Sequence, residues 1–100
     1  MPKQPEDCAS MADVREGVDA IDRALVELLE TRFGYMRAAA RIKPSRDTVR
    51  DEDRKAEVIE AVRADAEARG LPADKLAAIW DQLVETSISY EFEEWDRTRA

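Results

Sequence analysis

Arg32 and Lys43 stand eleven residues apart in RFGYMRAAARIK, a stretch rich in helix formers. Eleven residues is about three helical turns, so both cations fall on one face. Val14, Val18, Ile21, Leu25 and Leu28 fall on that face too, and with Met36 and Ala39 they form the stripe such a helix should bury. A desolvated cation without a partner is strongly unfavourable. Something anionic must therefore meet Arg32 and Lys43, or they must reach water. One solution is that long side chains snorkel at a stripe end. The other is chemical. Ala38, Ala39 and Ala40 leave room, and room beside two cations suits a small carboxylate.

A later segment repeats the anomaly. Leu76, Ile79, Trp80, Leu83 and Tyr90 mark a buried helical face, and Ser87 and Glu91, one turn apart, fall on it as well. A serine there commonly bonds its own helix backbone. A buried glutamate either pairs with a cation or takes a proton, and Lys43 is one candidate partner. Between these segments lie Arg50, Asp51, Arg54 and Lys55. Asp51 in a first turn suits the helix dipole without any function. Arg54 and Lys55 are less expected near a helix N-terminus; a bound anion explains them, and so does plain solvation. Arg15 sits on the margin of the first stripe. It reads as a surface arginine, or, in an antiparallel dimer, as a residue reaching the Arg32 region of the other chain.

Three helices must position these groups. Ser10, with Asp13 three residues on, opens the first as a capping-box variant, and Pro44 stops it after about Lys43. Thr48 and Asp51 offer a second start, and Gly70 ends that helix after about Arg69. LPAD is a turn, with Asp74 as the cap of a third helix reaching about Thr98; the final WDRTRA is expected to fray. The first helix, of about 33 residues, extends about 50 Å. A compact domain of this length is about 35 Å across. Two shorter helices cannot cover it, so the expected architecture is all-α, with three helices per chain, a long first helix and an intertwined homodimer. A break at Gly34 is the alternative.

Composition sets the outer limits. One hundred residues suggest one domain, residues 1–100, with a modest core that gains from oligomerising. A net charge of −7 argues against nucleic-acid or anionic-lipid partners. A local basic pocket for a small anion is compatible with it. The chain has no histidine, hence neither the usual general base nor the commonest metal ligand. Its one cysteine, Cys8, allows no intrachain disulfide. No apolar run is long enough to span a membrane and no apolar signal segment opens the chain, so a cytoplasmic protein is the expectation.

VREGVDAIDRALVELLETRFGYMRAAARIK, then VRDEDRK, then ETSISYE, together resemble the all-helical chorismate mutase family across residues 9–97. The opening PEDC and the short length also resemble its relatives, the isochorismate-pyruvate lyases. The resemblance implies an intertwined dimer with two active sites and no cofactor or metal. It implies that Arg15 from the neighbouring chain and Arg32 grip two substrate carboxylates, with Arg54 supporting the carboxylate end. Lys43 would bond the ether oxygen and one carboxylate, and Glu91 would meet that oxygen from the opposite side. Asp51 would approach the ring hydroxyl and Ser87 would line the pocket. A concerted [3,3] rearrangement of chorismate to prephenate needs no nucleophile, only a folded substrate and a preorganised charge at the breaking ether bond.

Two positions depart from the family pattern. Many members carry glutamine at the position of Glu91; an ionised Glu91 would repel the ether oxygen, so it must hold a proton, and activity should rise toward acidic pH. Many mutases carry glutamate or glutamine at the position of Lys55, bonding the ring hydroxyl. A lysine cannot accept that bond, which keeps the lyase alternative, giving salicylate and pyruvate from isochorismate, in view. A non-catalytic, metabolite-binding helical dimer is a reading of a different class, and a purely structural module is a fourth.

Overall fold

Ser10 opens the first helix as the sequence leads one to expect. Its hydroxyl accepts from the Asp13 amide at 3.1 Å, while the Asp13 carboxylate accepts from the Ala9 amide at 3.0 Å. In the usual box the return bond lands on the cap residue itself; here it lands one residue earlier. The Ala9 amide and the Lys3 ammonium, 3.2 Å away, hold the Asp13 carboxyl below its ordinary range. The computed structural model describes residues 1–100. They form α1 (Met11–Ile42), α2 (Glu52–Ala68) and α3 (Ala73–Thr98), with short 3₁₀ turns at Pro5–Asp7 and Arg46–Thr48. The all-α class, with three helices and a long first one, is the observed architecture. Helix α1 runs through Gly34 without interruption, so the expected alternative of a break there is not found.

The chain forms two compact units, Met1–Gly34 and Tyr35–Ala100. In the first, the apolar stripe is open to solvent: Val14 is 38% and Leu28 66% exposed, with Val18, Ile21 and Leu25 between them. The segment before α1 lies along it, and Met1, Pro2, Pro5 and Cys8 join Val14, Val18 and Ile21 around an apolar groove of about 550 Å³.

In the second unit, α2 packs along α3. Val49, Val84 and Ile88 are the buried centre, with Val58, Ile59, Phe92 and Trp95 packed against them. Asp51, not Thr48, caps α2: its carboxylate accepts from the Arg54 amide at 3.0 Å, whereas Thr48 bonds the Ser45 carbonyl within the 3₁₀ turn. Gly70, at φ 70°, ends α2. Leu71 donates to the Ala66 carbonyl and Gly70 to that of Glu67, a Schellman closure that needs the left-handed backbone glycine adopts without strain.

Three expectations are corrected. Asp74 is not the cap of α3: the Leu76 amide bonds the Pro72 carbonyl, so the helix starts earlier and Asp74 falls in its first turn, paired with Arg63. Ile79 is 57% exposed, because the buried arc of α3 runs through Ala77, Val84, Ile88 and Glu91 rather than along the larger aliphatics. Where WDRTRA is expected to be loose, α3 continues to Thr98. Trp95 and Arg99 are bonded to the carbonyls that end α1. No helix is long and apolar enough to cross a membrane.

Candidate active site

Lys43 is the first residue beyond α1, stopped there by Pro44, and its amide still bonds the Ala39 carbonyl at 2.9 Å. Its side chain turns to α3. The ammonium lies 2.7 Å from Glu91 Oε2 and donates to the Val49 carbonyl at 3.2 Å. Glu91 is only 4% exposed. Its Oε2 is close to the ammonium yet accepts no well-directed hydrogen bond. The pair is therefore held by charge more than by hydrogen-bond geometry, and Glu91 retains acceptor capacity that the protein does not fill. Ser87, one turn before Glu91 and equally buried, donates to the Leu83 carbonyl at 2.7 Å, the self-bonded arrangement open to a core serine.

A second charged cluster ties the start of α2 to α3. Arg50 grips Glu85 with both terminal nitrogens, at 2.8 and 3.1 Å, and also donates to Glu52 at 2.8 Å. Lys55 meets Glu85 at 2.8 Å and Asp81 at 3.0 Å. The Arg50 and Lys55 hydrogen bonds push the Glu85 carboxyl down to about 2, and the same contacts raise the Lys55 ammonium and the Arg50 guanidinium above their ordinary values. Arg54 is exposed, 3.5 Å from Glu57 on its own helix.

Of the residues singled out in the sequence, Lys43, Glu91 and Ser87 thus share one locality, with Lys43 and Glu91 in direct contact. Asp51 caps α2, and Lys55 belongs to the Glu85 cluster. Arg15 and Arg32 lie in the first unit. Arg15 is exposed on α1; Arg32 is half-buried, and that burial lowers its pKa from the ordinary arginine value. Glu85, Trp95 and Arg99 escaped sequence reading. Their partners stand 30 to 59 residues away, and no helical spacing announces a contact made between helices. No three His, Cys, Asp or Glu side chains gather closely enough to hold a metal ion.

What the second unit offers chemically is a half-buried ammonium beside a nearly sealed carboxyl, a place to stabilise negative charge developing on a small molecule. Residues 14–92 match the family described as chorismate mutase type II. Across 98 residues the chain is 34% identical to the isochorismate pyruvate lyase of Pseudomonas aeruginosa, which covers 98% of this chain and 97% of that protein. The matched stretch contains every site residue named from the sequence, from Arg15 to Glu91. On both grounds the chain belongs to the chorismate mutase type II family, in the group of enzymes that comprises chorismate mutases and isochorismate pyruvate lyases.

Proposed function

We propose that the protein is a chorismate mutase, converting chorismate to prephenate without cofactor or metal. The observation that carries this reading is the Lys43–Glu91 pair: a cation 2.7 Å from a buried carboxyl whose facing oxygen, Oε2, accepts no aligned hydrogen bond. A separation of 2.7 Å leaves no room for an atom, so the substrate must part the pair to bring its ether oxygen to Lys43. Lys43 then donates to that oxygen from one side, and Glu91 meets it from the other, a role that requires the neutral acid. As the ether bond breaks and the new carbon–carbon bond forms, negative charge on the oxygen is met by donors already in position. Arg32, Arg54 and Arg15 of the partner subunit hold the two carboxylates and keep the substrate folded. Asp51, whose Oδ1 takes the Arg54 amide, directs its other oxygen to the ring hydroxyl. Ser87 lines the pocket. Lys55 stands at its α2 side with its charge already balanced by Glu85 and Asp81.

The solvent-open stripe Val14–Leu28 supports a homodimer, since a second α1 laid along it removes that apolar surface from water. Ile21→Glu should give a monomer by sedimentation and remove activity, because the partner's arginine goes with the interface. A second reading is favoured by the relative's name: an isochorismate pyruvate lyase releasing salicylate and pyruvate. Lys55 is compatible with it, since a lysine paired to Glu85 and Asp81 accepts no bond from a chorismate hydroxyl.

Incubation of the purified protein with each substrate separates the readings. Prephenate from chorismate at a rate exceeding salicylate from isochorismate supports the first, and the reverse supports the second. Turnover of neither, with dicarboxylate binding intact, leaves a metabolite-binding helical protein.

A further inference from the structure

Lys43 is held at both ends. Its ammonium faces Glu91 and Val49. Its backbone carbonyl accepts two further bonds, from Trp95 Nε1 at 3.1 Å and from Arg99 Nη2 at 2.8 Å. Arg99 also reaches the carbonyls of Ala40 at 3.0 Å and Arg41 at 3.4 Å, and its guanidinium lies 4.3 Å over the Trp95 ring. A helix leaves its last carbonyls without amide partners. A guanidinium fork can collect several of them, and its charge suits that end of the dipole. Trp95 follows Glu91 by one turn on α3. The same stretch of α3 therefore presents a carboxyl to the head of Lys43 and donors to its backbone.

We propose that Trp95 and Arg99 are positioning residues for the reaction: a strap that fixes the backbone of Lys43 and thereby the place of its ammonium relative to Glu91. The proposal rests on Lys43 as the catalytic cation. It identifies residues beyond the stretch matched to the family. Lys43 sits just past the helix and before a proline, where only one backbone bond to α1 remains. Its side chain is a flexible four-carbon stem. Released from the strap, the terminal residue moves, and the ammonium samples positions from which it cannot meet both Glu91 and a substrate oxygen. Placement errors of about 1 Å can lower a rate about 100-fold.

The test compares Arg99→Ala, Arg99→Lys and Trp95→Phe with Arg97→Ala, whose side chain bonds Glu94 within α3. Two quantities are read: kcat and KM on whichever substrate the wild type turns over, and amide hydrogen exchange at Ile42 and Lys43 by NMR. For Arg99→Ala, kcat should fall roughly tenfold with KM within about twofold, and exchange at both amides should accelerate. Trp95→Phe keeps the stacked ring and loses the donor, so its fall in kcat should be smaller; Arg99→Lys should recover part of the loss, and Arg97→Ala should match the wild type. Faster exchange with unchanged kcat per folded molecule reduces the strap to a helix cap and overturns the proposal. Unchanged exchange in Arg99→Ala overturns it as well. A wild type inactive on both substrates defeats the functional reading and leaves no reaction to position for, while the exchange result judges the strap by itself.

Discussion

Two charged clusters bind α3 to the rest of the second unit, and they are built in opposite ways. Around Glu85, a half-buried carboxylate is saturated: a bidentate arginine on one side, a lysine on the other, and that lysine shared with Asp81. Around Glu91, a nearly sealed carboxyl meets one ammonium at 2.7 Å through Oε2, and that oxygen accepts no aligned hydrogen bond. If stability alone shaped them, the buried group would be the better satisfied, because an underserved charge in a low-dielectric interior is the expensive one. The reverse is observed. Saturated contacts near the surface hold helices in register and have little capacity left for a ligand. An incompletely served pair under cover is stabilised further when a ligand supplies the missing partner. Contact number therefore argues against function here, and burial with unfilled capacity argues for it.

The strongest way to break this comparison is to remove Lys43. Lys43→Met keeps the stem and deletes the charge. If the buried pair is the reactive element, kcat should drop by about 10²–10³-fold, the range seen when one donor to a developing oxyanion is lost. Circular dichroism should retain the helical signal. Thermal stability should fall too, since Glu91 is left buried without its cation. A protein merely shaped for stability predicts the same fall in stability with no fall in rate, so a Lys43→Met variant at full rate per folded molecule would count decisively against the active-site reading.

Glu91→Gln sharpens the comparison from the carboxyl side. The amide donates to the ether oxygen as it stands, whereas a carboxylate paired with Lys43 only accepts. The variant should therefore turn over chorismate at least as fast as the wild type, with the helical signal retained. A variant slower by about tenfold or more removes the donor role. The effect is smaller than for Lys43, because one donor is altered and none is deleted.

The helices were legible because their signals are local. A 3.6-residue apolar period, Pro44 after α1 and Gly70 after α2 placed the elements to within a residue or two. The same period, read along Leu76, Ile79, Trp80, Leu83 and Tyr90, put Ser87 and Glu91 on the buried face; the structure buries both, together with Val84 and Ile88, which that reading did not single out. The errors have a common origin as well. Helical spacing with the large apolar residues reads Ile79 as inward, but it is 57% exposed while small Ala77 is buried. Asp74 has the right chemistry for a cap and lost the position to a proline carbonyl. Residues 95–99 looked like a loose end because nothing within a few positions holds them; what holds them is the far end of α1. Capping pairs are short-range and can be read from spacing. The Glu85 cluster and the strap join residues 30 to 59 positions apart, and only packing brings them together.

The smallest expected effect concerns the saturated cluster. Glu85→Gln leaves the shape and one acceptor in place and removes the charge, so activity should stay within about twofold of the wild type, as suits near-surface ion pairs of modest individual weight. Its signature is in acid. With its carboxyl held at about 2 in the folded protein against an ordinary 4.5, the unfolded chain takes up a proton there before the native chain does. The stability Glu85 provides is thus fully present above about pH 4.5 and is lost as pH falls toward about 2. Melting temperatures followed across that window should decline less steeply in Glu85→Gln than in the wild type, with the two curves running parallel above it. If the variant instead loses activity as severely as Lys43→Met while its acid profile matches the wild type, the Glu85 cluster is part of the reactive machinery, and the contrast between a saturated and an unsaturated carboxyl has been drawn in the wrong place.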